Sequence, residues 1–225
     1  MSNLIKAELF KLQRIVSFWV ILGTVTALSA LMHILILTDW WLMNDTVFDR
    51  VGLSELNALS TFTVPIFFNL IVSTLAGFFI SSEFSGSGVI KNQVMSGNKR
   101  SHIFIAKYIV FSLGAFIAVV FIPLITGVSI ATLMEGNILN LLHIVYLAKA
   151  FALFSVQFFG FTAMVMLLAI VTEDSGKTII FSILITIVLF AVEKLSKPSF
   201  VELAYENSIF QQFHVVFNSS LTSAE

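Results

Sequence analysis

The chain has 225 residues, of which 58% are hydrophobic and only 11% charged, with 24 phenylalanines and a net charge of −1. This excludes an ordinary soluble globular domain and gives no indication of nucleic-acid binding. The absence of cysteine removes disulfides, Cys-ligated zinc, Cys-held iron–sulfur clusters and thiol nucleophiles together. What remains is an all-α polytopic membrane protein, read as a single membrane domain over 1–225.

The segment Ser2 to Arg14 reads as an interfacial helix, with Leu4, Ile5, Ala7, Leu9 and Leu12 turned to lipid and Lys6, Glu8, Lys11 and Arg14 to water. A helical span needs roughly 20 mostly apolar residues, and about five runs qualify. The first, Ile15 to Leu37, continues too far to be a cleaved signal peptide and ends at Trp40 and Trp41, which suit an aromatic belt. Thr61 to Ile80 forms the second. Ile103 to Met134, the third, exceeds one hydrocarbon thickness and should tilt, kink at Pro123 or protrude near Lys107. Asn137 to Leu147 reads as a short outer helix leading into the fourth span, Ala150 to Val171; Thr178 to Val192 is the fifth. In the tail, 198–225, Glu202, Glu206 and several amides interrupt every apolar stretch, so it is expected to pack at the outer interface.

Lysine and arginine set the orientation. Lys6, Lys11 and Arg14 precede the first span, Lys91, Lys99, Arg100 and Lys107 follow the second, and Lys177 follows the fourth. The first two opposite loops carry Asp39, Asp45, Asp49, Glu55 and Glu135, against Arg50 and Lys149. The N-terminus is therefore expected in the cytoplasm and the C-terminus outside, although Lys194 and Lys197 run against the bias.

Little supports catalysis. The four histidines are scattered, no His-Glu-x-x-His pair occurs, and no carboxylates meet at helical spacing inside a span, so no catalytic, metal or directly bound cofactor residue is assigned. Ser175-Gly176-Lys177-Thr178 has the ending of a phosphate loop, but Val171 stands where that loop requires glycine. Asn69 and Gln157 are the notable amides at depth, suited to a solute path or to helix packing. Ser73, Gly77 and Ser81 make a small-residue stripe on the second span.

The polar island 81–102 is the most distinctive segment. Val89, Ile90, Val94 and Met95 give a short helix one apolar face, Lys91 and Asn92 accompany it, and Gly97 ends it. A short helix joining two long spans is a mechanical lever.

The string Glu83-Phe84-Ser85-Gly86-Ser87-Gly88-Val89-Ile90-Lys91-Asn92, followed by Ser96-Gly97, Arg100, Ile103 and Ala106-Lys107, resembles the inner loop of type-2 ABC exporter permeases, especially small ones of peptide-antibiotic export or self-immunity. Gly-Val-Ile stands here where Gly-Thr-Ile is usual. The opening Ile5-Lys6-Ala7-Glu8-Leu9-Phe10-Lys11-Leu12 is similar to their N-terminal interfacial helix. The resemblance implies a multi-pass cell-membrane permease that dimerises with itself or a sister and docks on a pair of cytosolic ABC ATPases, ATP being bound by those subunits. It implies that the island is the coupling loop, with Glu83, Phe84, Val89, Ile90, Lys91, Asn92, Val94 and Arg100 as ATPase-coupling residues. The expected cargo is an amphipathic peptide or lipophilic compound moved outward. Such permeases usually have six spans and end in the cytosol, so either the tail packs irregularly or a final helix is lacking. The alternative is a stand-alone immunity protein that sequesters a cationic peptide on the acidic outer loop Asp39 to Glu55 without energy input.

Overall fold

The computed structural model describes residues 1–41, 43, 46–84, 89–136 and 139–194. The outer tail, Asp45 and the residues 85–88 of the island lie outside them. Among the described residues the chain is all helical: α1 (Ser2–Arg14), α2 (Val16–Leu37), α3 (Val47–Arg50), α4 (Ala58–Thr63), α5 (Pro65–Ala76), α6 (Ser82–Phe84), α7 (Val89–Met95), α8 (Arg100–Phe116), α9 (Ile122–Glu135), α10 (Leu141–Thr172) and α11 (Ser175–Lys194). Among the described residues, four continuous helices are long and apolar enough to cross a membrane: Val16–Leu37, Pro65–Phe84, Arg100–Glu135 and Leu141–Thr172. Within α11, Ser175–Val188 is a shorter apolar helix that serves as a fifth.

Local chemistry explains the breaks. Ile15 is extended, with ψ 117°, and separates α1 from α2; the Trp19 indole N–H, donating to the Gln13 carbonyl at 2.8 Å, pins that elbow. The second span begins later than the apolar run because Pro65 excludes helical geometry at Val64, whose ψ is 128°. This detaches α4 from α5. A π turn, Gly77–Ser81, then joins α5 to α6.

The third span runs as one continuous helical stretch through Pro123. A second π turn, Ile117–Phe121, precedes that proline, which lies at the start of α9. Its 36 residues reach roughly 54 Å at 1.5 Å per residue, against about 30 Å of hydrocarbon. Near Lys107 the span is not solvated: that residue is fully buried against α1. Of the outer helix expected over Asn137 to Leu147, residues 137 and 138 lie outside the described residues, and the rest is not a separate element. Asn140 caps α10 by accepting from the His143 N–H at 2.9 Å, and the helix continues unbroken for 32 residues.

The spans meet through small and hydroxyl-bearing residues. On α2, the His33 Nδ1–H donates to the Ser29 carbonyl at 2.8 Å and Ser29 Oγ bonds Thr126 of α9 at 2.7 Å. A Cβ on Gly127 would stand 2.4 Å from His33 Nε2, so this crossing requires glycine. The stripe on the second span seats α11: Ser175 Oγ donates to the Gly77 carbonyl at 2.6 Å, and Ser81 Oγ bonds the Ala169 carbonyl and Thr178. Deeper in, Phe68 meets Phe154, Phe158 and Phe161 edge to face at the centre of the core.

The string Ser175 to Thr178 is simply the first turn of α11, capped by Asp174 Oδ1 accepting from the Lys177 N–H at 2.8 Å. At the other end of the bundle, much of the acidic loop is folded. Phe48, Leu53 and Leu56 are buried, and Asp49 is used internally, accepting from Asn57 Nδ2 at 2.7 Å and from the Thr46 N–H at 3.3 Å.

The Gly127 crossing is open to a direct test. Gly127→Val is expected to overpack α2 against α9 at a cost of about 1–3 kcal/mol and to lower the melting temperature in detergent. Gly23→Ala, with nothing within 4 Å of the new Cβ, is expected to be neutral or slightly stabilising.

Candidate functional site

The site is built where α1, α6, α7 and α8 converge. Glu8 and Lys11 are one helical turn apart on α1, and Leu12 beside them is buried against α8, its Cδ2 lying 2.8 Å from where Gly114 would carry a Cβ. That close approach brings the polar side of α1 onto Lys107. Lys107 Nζ donates to Glu8 Oε2 at 2.8 Å and to Glu83 Oε2. Lys11 Nζ donates to Glu8 Oε1 at 2.8 Å and to Glu83 Oε1 at 3.1 Å. Two ammonium groups and two carboxylates thus alternate in a closed ring. Lys107 also lies over the Phe79 ring, 5.6 Å from its centroid.

The ring is linked to the island helix. Gln93 Nε2 of α7 donates to Glu8 Oε1 at 3.0 Å. Gly97, at φ +84°, turns the chain after α7, and Asn98 Nδ2 ties that turn back to the Gln93 carbonyl at 3.2 Å. Phe84 and Phe104 pack with tilted rings, centroids 5.8 Å apart, on the flank. The island helix α7 is therefore joined to Glu8 on α1 and, through it, to Lys107 on the third span.

Electrostatics hold this arrangement. Moving an ion out of water costs several kcal/mol, which is recovered only when partners and hydrogen bonds are well placed. Burial pushes the Glu8 carboxyl upward, but the Lys107 charge, with hydrogen bonds from Lys107, Lys11 and Gln93, leaves it below its ordinary value. Burial likewise pushes Lys11 downward, and the hydrogen bond to Glu8 with the Glu83 charge leaves it raised.

The expectation that Glu8 and Lys11 face water is corrected: Glu8 is 1% exposed and Lys11 half-buried, whereas Lys6 and Arg14 remain outside, Arg14 over the Phe10 ring at 4.8 Å. The missing information was the partner, Lys107, 99 residues away. Glu83, read as a contact for an outside ATPase, is turned inward onto both lysines. Lys91, Asn92 and Arg100 are exposed, while Val89, Ile90 and Val94 are half-buried.

Of the two amides at depth, Asn69 packs helices: its Nδ2 donates to the Ser182 carbonyl at 2.9 Å and to Thr186 Oγ1 at 2.5 Å, and Ser182 Oγ donates to its Oδ1 at 2.6 Å. Gln157 Oε1 is buried without a hydrogen-bond partner among the described residues.

Several spanning helices with a short helix hydrogen-bonded to them at one end define a multi-pass membrane protein. The family model for the ABC-2 family transporter protein matches residues 4–193, and the chain belongs to that family. No curated protein and no solved structure matches it. Members of the family are membrane subunits without an ATPase site of their own, and membership implies a partner ABC ATPase.

The pH response of the ring follows from the two shifts. The stability that Glu8 contributes is fully present above the ordinary carboxylate pKa and is lost as pH falls through its lower folded value. That from Lys11 is present below the ordinary lysine pKa and is lost as pH rises through its raised folded value. Because the chain has no native cysteine, a spin label at Leu9→Cys reports on α1 alone. Its mobility is expected to stay constant between about pH 5 and 9 and to increase only in stronger acid or base.

Proposed function

We propose that the chain is the membrane-spanning subunit of an ATP-driven ABC exporter, taking its energy from a separate cytosolic ATPase. The observation that carries this reading is the bond from Gln93 of α7 to Glu8, the carboxylate that also holds Lys107 of the third span. It gives a partner seated on α7 a rigid connection into the bundle.

In this reading the end of the bundle carrying α1 and α7 faces the cytoplasm, as the clustering of Lys6, Lys11, Arg14, Lys91, Lys99 and Arg100 supports. The N-terminus is then cytoplasmic and the C-terminus outside. The helix α7 docks through Val89, Ile90, Lys91, Asn92 and Val94, with Phe84 and Arg100 at its edges. Glu83 acts from inside, as the carboxylate that completes the ring. The permease works as a dimer with itself or a sister subunit. Its cargo is an amphipathic peptide or other lipid-partitioning compound, a reading supported by the scarcity of charge within the spans, and Gln157 is the amide available to it at depth. An energy-independent peptide trap on the outer loop has less to offer, since Asp49 is already spent on Asn57 and Thr46.

The test is affinity purification of the tagged chain from its native membrane in mild detergent. An ABC ATPase is expected to accompany it, and Ile90→Asp with Lys91→Glu is expected to release that ATPase while membrane insertion is unchanged. Retention of the ATPase by this variant would refute docking through α7.

A further inference from the structure

On a face of α7 distinct from Gln93, a groove of about 410 Å³ lies between that helix and the start of α8. Ile90, Val94, Ile103 and Phe104 line it, and Lys91 and Arg100 stand at its rim. Neither cation has a carboxylate partner among the described residues.

We propose that this groove is a binding seat for one anionic phospholipid, its phosphate held between Lys91 and Arg100 and part of an acyl chain laid along Ile90, Val94, Ile103 and Phe104. This goes beyond the coupling reading; because the groove shares Ile90, Lys91 and Val94 with the proposed docking face, lipid and ATPase are alternative occupants of that face.

Three observations select this occupant. Among the described residues the lining contains no hydroxyl, amide or carboxylate side chain. A peptide placed there would bury backbone N–H and C=O groups without partners, whereas an acyl chain needs none. The rim supplies two positive charges, which complement a phosphate diester, and basic pockets between helices at the cytoplasmic side suit such headgroups. Finally, the floor belongs to the helix that enters the bilayer: Ile105, next to Phe104, is 45% exposed, and Met95 on the groove edge is 83% exposed. These apolar surfaces continue from the groove onto the third span.

The experiment is native mass spectrometry of the full-length chain in detergent, titrated with phosphatidylglycerol or with phosphatidylcholine. The wild type is expected to retain one phosphatidylglycerol about tenfold more tightly than phosphatidylcholine. Lys91→Gln with Arg100→Gln is expected to abolish that preference. Val94→Trp, which fills the groove and keeps both charges, is expected to abolish the tight adduct as well. Lys6→Gln with Arg14→Gln removes the same charge from α1 and is expected to leave the adduct in place. Equal binding of the two lipids, or a preference lost equally with the Lys6 and Arg14 pair, would overturn the assignment. So would an unchanged adduct on Val94→Trp, or a groove protected only by a copurified protein.

Discussion

A lysine with no access to water must be given its counter-charges by the protein, and Lys107 is such a lysine. It is fully buried on the third span, and the carboxylates that neutralise it come from two other elements, Glu8 on α1 and Glu83 on α6. No arrangement in which α1 drifts free along the membrane surface is compatible with that burial. The interfacial helix is consequently a structural wedge, clamped by charge at Glu8 and Lys11 and by packing at Leu12. Because Gln93 shares the same carboxylate, the island helix inherits the position that the ring fixes.

The remainder of the bundle is arranged differently, around neutral contacts suited to lipid, where the hydrophobic effect between helices is weak. Close approach at Gly127, hydroxyl bonds from Ser175, Ser81 and Thr178, and the amide of Asn69 hold the spans in register. Two π turns, at Gly77–Ser81 and Ile117–Phe121, adjust the long spans without breaking them. Ion pairing thus fixes the helices at one end of the bundle, and small-residue packing fixes them along the spans.

Much of this was legible in the sequence, and the limits have physical causes. The spans, α1 and the island helix announce themselves through local signals: apolar runs, amphipathic spacing and the stop at Gly97. The small-residue stripe on the second span was visible too, but not that Ser175 and Thr178 of α11 would fill it. Glu8 and Lys11 were read as facing water because Glu83 and Lys107 are remote from them in the chain; a lysine about one turn into an apolar run was the available hint that a carboxylate had to be found for it. Asn69 bonds residues 113 and 117 positions away, a pairing no local pattern encodes. The unbroken α10 was split in expectation because polar and apolar stretches look like separate elements, whereas the Asn140 cap makes them one.

The most direct test of the ring is a double-mutant cycle on Glu8 and Lys107, read as melting in detergent. Glu8→Gln leaves an excess positive charge beside Lys107, and Lys107→Met leaves Glu8 and Glu83 sharing only Lys11. Each is expected to cost about 3–5 kcal/mol, as for a buried ion deprived of its partner. The double variant restores neutrality through Glu83 and Lys11, and is expected to be more stable than the summed losses by at least about 1 kcal/mol. Strictly additive losses would mean that the two residues act independently, and would contradict an account in which a buried charge ring joins the lever to the membrane bundle.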